Sequence, residues 1–450
     1  MTALKKEIVI IGKLVIGGRG LARLADGMVV MVDGVLPGER VLLHPLRKRS
    51  GYYEADLVEV LDPSPQRVEP PCPHYGACGG CDLQHADLSQ QVGIKADILR
   101  DHLLRGTLFD QENLAAVWRE PLTSPEMFNY RQRIRLQVSD DFLPEIGFRQ
   151  RRSHLLEPVE SCLLACGEIN DILARVADSQ AMSQLLGQCR ELELLFSPAD
   201  GDVILLLHFG RKPRPGDLKA ANEAVTELGV RALMFDVDGY GQFDPVGVDN
   251  RADALLRFTL PGLGEGGADL LLTVEPGGFC QVNPGQNVQL VGRMLDLVGD
   301  ARPQRVLDCH CGMGNFSLPI STVAGEVVGC DVQGAAIRSA RRNADLNGIE
   351  NCRFEKKSAA AMVAELVEAG QKFDLVLLDP PRQGCGDIVE LLPRLEPAKI
   401  IYISCDPATL RRDLANLAGD GYTVKSLQMV DMFPQTAHME TIVLLERRDL

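Results

Sequence analysis

The stretch "VLDCHCGMGNFSLPIS", residues 306–321, decides the fold. A short apolar strand runs into Asp308, a loop carries Gly312 and Gly314, and helical periodicity resumes from about Ser317. Strand, glycine loop and helix together form the opening unit of a doubly wound α/β sheet. The two glycines let the backbone pass close to a ligand, where a Cβ would collide. The dinucleotide fingerprint G-x-G-x-x-G/A is not met, because Ser317 occupies its third place. One strand further on, "VVGCDV" brings Asp331 to a strand end, 23 residues after Asp308. An acidic side chain at that point can accept hydrogen bonds from both hydroxyls of a ribose.

Outward from this unit the same pattern repeats. "FDLVLLDPPRQG" (373–384) and "KIIYISCDP" (399–407) are short apolar runs that stop in polar loops. From about residue 270 onward, apolar strands alternate with helical stretches, which predicts a parallel sheet with its ligands at the carboxyl ends. Residues 5–61 are different: short β segments punctuated by glycine suggest a small barrel. "DPSPQRVEPPCP" (62–73) reads as a linker, residues 90–108 as a helix, and 125–260 as mixed strands and helices. The expected division is 1–62, 63–265 and 266–450, with the helix near 90–108 packing on the last unit.

The 450 residues suffice for two or three domains. No run approaches the roughly 18 apolar residues of a membrane helix, and "MTALKKEIVIIGKL" lacks a signal-peptide pattern, so a cytoplasmic protein is expected. In that compartment 13 cysteines point to free thiols, metal ligands or a nucleophile rather than disulfides. The formal net charge of -15 argues against a nucleic-acid partner, but "RKRS" (47–50), "RQRIR" (131–135) and "RQRR" (149–152) concentrate positive charge in the N-terminal half.

Aspartate, glycine loop and an acidic strand end make the C-terminal unit similar to S-adenosylmethionine-dependent methyltransferases. Within it, Cys405 follows the fifth strand and Glu440 begins the last, so both belong to the edge where the cofactor loop lies. His438, two residues before Glu440, should share its face if the chain is extended there. A cysteine and a base across one pocket are what methylation of a pyrimidine at C5 requires. C5 attacks a methyl sulfonium only after a thiolate has added at C6, and a base must then remove the C5 proton. An unperturbed thiol needs only a modest push to ionise at neutral pH. Asp379, in "DPPR", ends the fourth strand. Arginine stands where amino-group methyltransferases carry an aromatic residue, which argues against chemistry on an exocyclic amine. A DNA cytosine-5-methyltransferase would carry its nucleophile in a Pro-Cys loop at that place. Cys309, Cys311, Cys330, Cys352 and Cys385 read as buried small hydrophobes.

"SCDP" followed by "HMET", with "DPPRQG" and "GFCQVN" upstream, resembles the RNA uracil-5-methyltransferase family over essentially the whole chain. The resemblance implies Cys405 as nucleophile and Glu440 as base. It implies a cofactor pocket lined by Gln281, His310, Asn315, Asp331 and Asp379, with Ser358 as a further candidate. His310 departs from the family, where tyrosine or phenylalanine is usual.

"CPHYGACGGCDLQH" (72–85) spaces Cys72, Cys78 and Cys81 as C-x5-C-x2-C, and Cys162 or Cys166 could supply a fourth thiolate. Spacing alone leaves zinc and a [4Fe–4S] cluster open. Resemblance to the ribosomal branch of the family implies the cluster and favours Cys162. It also implies a TRAM-like RNA-binding barrel at the N-terminus. The resulting expectation is a monomeric enzyme acting on RNA, 23S ribosomal RNA before transfer RNA, with neither DNA nor membrane as partner. A non-catalytic ribosome-assembly factor is the rival class.

Overall fold

The computed structural model describes residues 6–141, 143–262, 267–300 and 302–448. The expected boundary at 265/266 and the first five residues of the leader reading lie outside the described residues. The expected parallel sheet is present. Five parallel strands, Cys352–Lys356, Glu326–Asp331, Arg305–Asp308, Leu375–Leu378 and Lys399–Ser404, lie side by side in that spatial order. Glu440–Arg447 pairs antiparallel with the fifth, and Tyr422–Val430 antiparallel with that in turn. Apart from the edge strand Cys352–Lys356, which carries three charged residues, these strands are short and largely apolar because helices cover both faces. Val376, Leu377, Ile400 and Ile401 are fully buried.

The eighth strand of this sheet, Trp118–Leu122, comes from far upstream and pairs parallel with Tyr422–Val430. Helix Leu88–Leu103 also packs here: Leu99 and Leu103 are buried in one core with Leu410, Leu414 and Leu417 of helix Pro407–Gly419. The helix ends before "RGT" (105–107), short of residue 108. Segments from within 63–265 are thus built into the catalytic sheet and its core.

Ahead of it, six strands between Glu7 and Asp62 form one sheet around Val30, Val32, Val41 and Leu43. A seven-stranded central sheet spans Arg133–Val138 to Gly241–Gln242, with three helices on one face. Its Asp202–Phe209 and Ala232–Val237 strands run parallel, joined through helix Pro215–Leu228. The arginines of the upstream basic clusters are largely paired within the fold. Arg151 meets Asp82 at 2.9 Å, Arg152 meets Asp33 at 2.6 Å, and Arg133 meets Glu193 at 2.6 Å. Arg151 and Arg152 tie the central unit to the cysteine-rich loop and the N-terminal sheet, Arg152 while still exposed. Arg47 and Lys48 are exposed.

Candidate active site

Register brings the nucleophile and base candidates together. Ser404 pairs with Thr441 across the antiparallel strands. Just beyond that last pair, Cys405 leaves its strand and Glu440 begins the other, and the two are close enough for the Glu440 charge to act on the thiol. The local sequence makes the strand stop there. Asp406 caps helix Pro407–Gly419, its Oδ1 accepting from the backbone N–H groups of Ala408 and Thr409, both at 2.9 Å. Pro407 occupies the first turn, where its missing N–H costs nothing. Cys405 is therefore the one residue between strand and cap, held at the carboxyl edge.

The same edge gathers carboxylates. Asp308 and Asp331 end their strands, and Asp379 follows the fourth. Burial pushes Asp379 up to about 7, with the Asp308 charge adding to it. Burial likewise lifts Asp308 to about 7, against a hydrogen bond of 2.6 Å from the Ser317 hydroxyl to its Oδ2. Glu440, 8% exposed, is raised well above the usual carboxylate range by burial and by Asp379, with Arg382 pulling the other way. The Cys405 thiol is pushed up to about 11 by burial, then by Glu440 and Asp379, again opposed by Arg382. The ligand-free pocket thus holds the thiol protonated. The expected gentle push toward thiolate is reversed, because burial and two neighbouring acids, Glu440 and Asp379, disfavour the thiolate.

The cofactor loop adjoins this cluster. Gly312 (φ 54°) and Gly314 (φ 92°) adopt the left-handed region that favours glycine, and a Cβ at Gly312 would meet nothing within 4 Å. Asp331 Oδ2 accepts from the Gly312 N–H at 3.2 Å, joining loop to strand end. His310 is largely buried, and its Nδ1 has no hydrogen-bond partner, an orphan that a bound polar ligand would satisfy. Gln281 is half-buried, its carbonyl accepting from Gln132 Nε2 at 2.7 Å. The residues present therefore fit S-adenosylmethionine.

Two of the cofactor candidates are otherwise engaged. The Asn315 amide exchanges two hydrogen bonds with Asn287, at 2.8 and 2.9 Å. Ser358 caps helix Ala359–Glu368, its Oγ accepting from the Ala361 N–H at 3.2 Å. His438 is exposed and Glu440 buried, and the strand begins only at Glu440. Cys309, Cys311, Cys330 and Cys385 are buried as expected of packing residues, whereas Cys352 is partly exposed. Sequence reasoning missed Arg382 as an electrostatic partner of the pair. Its signal was present, as the only cation of the DPPR turn.

The cysteine-rich loop is separate. Cys72, Cys78 and Cys81 each feel the Cys162 thiol, and burial raises all three. Cys166 is raised by burial and by its neighbour Glu168, and it also caps helix Gly167–Asp178. Among the described residues, no group of three or more His, Cys, Asp or Glu side chains forms a metal centre on its own.

The structure thus joins a parallel sheet, a glycine loop and an acidic strand end with a cysteine and a glutamate at one carboxyl edge. Residues 263–448 match the family model described as tRNA (Uracil-5-)-methyltransferase. The 23S rRNA (uracil(1939)-C(5))-methyltransferase of Pseudomonas putida is 35% identical over 448 residues, covering 98% of this chain and 94% of that protein. Its counterpart in Alcanivorax borkumensis is 34% identical over 439 residues, covering 96% and 94%. In fold, the chain is similar to the Pyrococcus abyssi tRNA (uracil-54, C5)-methyltransferase solved with S-adenosyl-L-homocysteine. The TM-score is 0.74 at 24% identity, over 98% of this chain and 100% of that one. The chain belongs to the RNA uracil-5-methyltransferase family, and it is an S-adenosylmethionine-dependent enzyme of that family.

Proposed function

We propose that this enzyme methylates C5 of a uridine in 23S ribosomal RNA, with Cys405 as nucleophile and Glu440 as general base. The closeness of Cys405 and Glu440 at the ends of neighbouring strands, where the Glu440 charge acts on the thiol, supports the catalytic assignment. Relatives about a third identical over nearly the full chain, each named for 23S rRNA, support the substrate.

The Cys405 thiolate adds to uracil C6, and the electron pair of the C5–C6 double bond moves to the C4 oxygen, leaving C5 nucleophilic. S-adenosylmethionine, when bound, supplies an electrophilic methyl group at that point. Glu440 then removes the C5 proton. The C–H electron pair re-forms the double bond, the S–C6 bond breaks, and its electrons return to the sulfur. Arg382, the cation that already opposes the pocket's negative charge, offsets charge on thiolate and carboxylate as they form.

Asp331, His310, Gln281 and Asp379 hold the cofactor in this reading, while Asn315 and Ser358 fix the loops that carry them. Cys72, Cys78, Cys81 and Cys162 hold a [4Fe–4S] cluster, a choice supported by the effect of Cys162 on each of the three loop thiols. The N-terminal sheet acts as a TRAM-like RNA-binding module, with Arg47 and Lys48 toward phosphates. The enzyme acts as a cytoplasmic monomer on an RNA base turned out of its stack, and on no DNA.

Incubation with labelled cofactor and either a 23S rRNA fragment or transfer RNA, followed by mapping of 5-methyluridine, tests this reading. Methyl transfer to the ribosomal fragment is expected. Methylation of transfer RNA alone would move the substrate, and no methylation at all would favour a binding factor.

A further inference from the structure

The segment Asp431–Met439 joins strand Tyr422–Val430 to the strand that begins with Glu440, and it is held from outside the sheet. Val430 pairs directly with Glu440, so Asp431 lies one residue from the base's cross-strand neighbour. Lys95, on helix Leu88–Leu103, donates to Asp431 Oδ1 at 2.6 Å and to the Phe433 carbonyl at 2.8 Å. Both charged side chains are 0% exposed. One turn earlier on the same helix, Gln91 exchanges two hydrogen bonds with Gln435. Its Nε2 donates to Gln435 Oε1 at 2.9 Å, and its Oε1 accepts from the Gln435 N–H at 3.0 Å. The Gln435 carbonyl accepts from the backbone N–H groups of Asp82 and Leu83, at 2.9 and 3.0 Å.

Gln435 has φ 69°, a left-handed conformation that glycine would adopt without strain. A strained non-glycine residue persists only where its surroundings over-determine it, and such residues cluster at functional sites. A fully buried ion pair is likewise weak support for stability, because apolar side chains of similar size often fold as well or better. Asp431 Oδ2 lacks any partner, which makes this pair a poor stabilising device. Strain and an incompletely satisfied buried pair on one side of the base segment suggest that it is shaped for position.

Resting on the assignment of Glu440 as base, we propose that Lys95 and Gln91 are positioning residues that aim Glu440 at the C5 proton. They touch neither substrate nor cofactor. They fix the backbone of 431–435, and through the Val430–Glu440 pair they fix the carboxylate. The step they serve is the last one, in which the C5–H pair re-forms the C5–C6 double bond and the Cys405–C6 bond breaks. Adduct formation by Cys405 does not depend on them.

The test compares the wild type, Glu440→Gln, Gln91→Met and the paired variant Lys95→Met with Asp431→Leu, which removes both charges and leaves no buried ion. Each full-length protein receives RNA and S-adenosylmethionine, and covalent RNA–protein adduct is followed on denaturing gels beside thermal melting. Expected for the paired variant is a melting temperature at or above wild type, adduct formation within about threefold, and adduct resolution slowed at least about tenfold. Gln91→Met should accumulate the same adduct. Resolution at the wild-type rate in both variants, while Glu440→Gln traps its adduct, would overturn the positioning role alone. Failure of Glu440→Gln to trap any adduct would overturn the base assignment and this role with it.

Discussion

Cys405 and the cysteines of the 72–81 loop are both partly buried thiols pushed up by burial, yet the fold treats them in opposite ways. Cys405 occupies one residue between a rigid strand and a capped helix, and everything that acts on it comes from neighbouring strand ends: Glu440, Asp379 and Arg382. Cys72, Cys78 and Cys81 sit in irregular backbone, and what acts on them most consistently is another cysteine, Cys162, brought in from a distant loop. A thiol surrounded by acids and one cation is equipped to change its charge during a reaction. Thiols that act on one another are, in the proposed reading, the ones that share a cluster. The comparison predicts that loss of the first removes chemistry and spares the fold, while loss of the second does the reverse.

The largest expected effect is at Cys405. Cys405→Ala should reduce turnover by about 10⁴-fold or more while RNA affinity, measured by filter binding, changes little. Measurable methylation by this variant would erase the distinction between the two sets of cysteines.

Next comes pH. The thiol is pushed up to about 11, so the thiolate fraction grows about tenfold for each pH unit below that value. Glu440, also raised, becomes an effective acceptor over the same direction of change. The logarithm of kcat/KM should therefore rise with a slope near one between about pH 6 and 8. A flat profile would mean that neither group limits the reaction.

For the loop cysteines, protein prepared without oxygen should contain iron and sulfide near four each. Cys162→Ser should lose that content and melt at lower temperature, and Cys166→Ser should keep it. Zinc in place of iron, or loss with Cys166→Ser instead, would redraw the ligand set.

The smallest effect concerns stability. Asp379 is about 7 in the folded protein against 3.8 in the unfolded chain, so the folded state binds the proton more tightly. Stability is then greatest below about pH 4 as far as this group is concerned, and it falls as pH rises toward and through 7. The full cost is at most about 4 kcal/mol, reduced by water at the carboxylate's exposed edge. Asp379→Asn should raise the melting temperature at pH 8 and leave it unchanged near pH 4, while lowering activity. Equal melting at both values would show the carboxylate to be unperturbed.

Four of the five parallel strands were legible because buried parallel strands are short, apolar, and end in loops of distinctive chemistry, whereas Cys352–Lys356, charged and at the edge, carries no such pattern. "WREPL" (118–122) was not, because a charged, proline-containing edge strand carries no such pattern and finds its partner about 300 residues downstream. Cys405, Glu440 and Asp379 could be read as a set from their places at strand ends. Their electrostatics could not: burial with two acids beside one thiol is a property of topology and depth, and it reversed the expected ease of ionisation. Lys95 shows the same limit. On a helix read by periodicity a lysine belongs to the wet face, and only the fold reveals Asp431 waiting beneath it. Likewise the C-x5-C-x2-C spacing left Cys162 and Cys166 equivalent, and it could not show that Cys162 acts on all three loop thiols while Cys166 starts a helix.

The central claim is that Cys405 and Glu440 act on the same uracil from opposite strands. Its most direct measurement is the covalent RNA adduct of Glu440→Gln, digested and sequenced by mass spectrometry. The account predicts a methylated uridine attached to the peptide containing Cys405. An adduct on any other residue, or free turnover with no adduct, would contradict it.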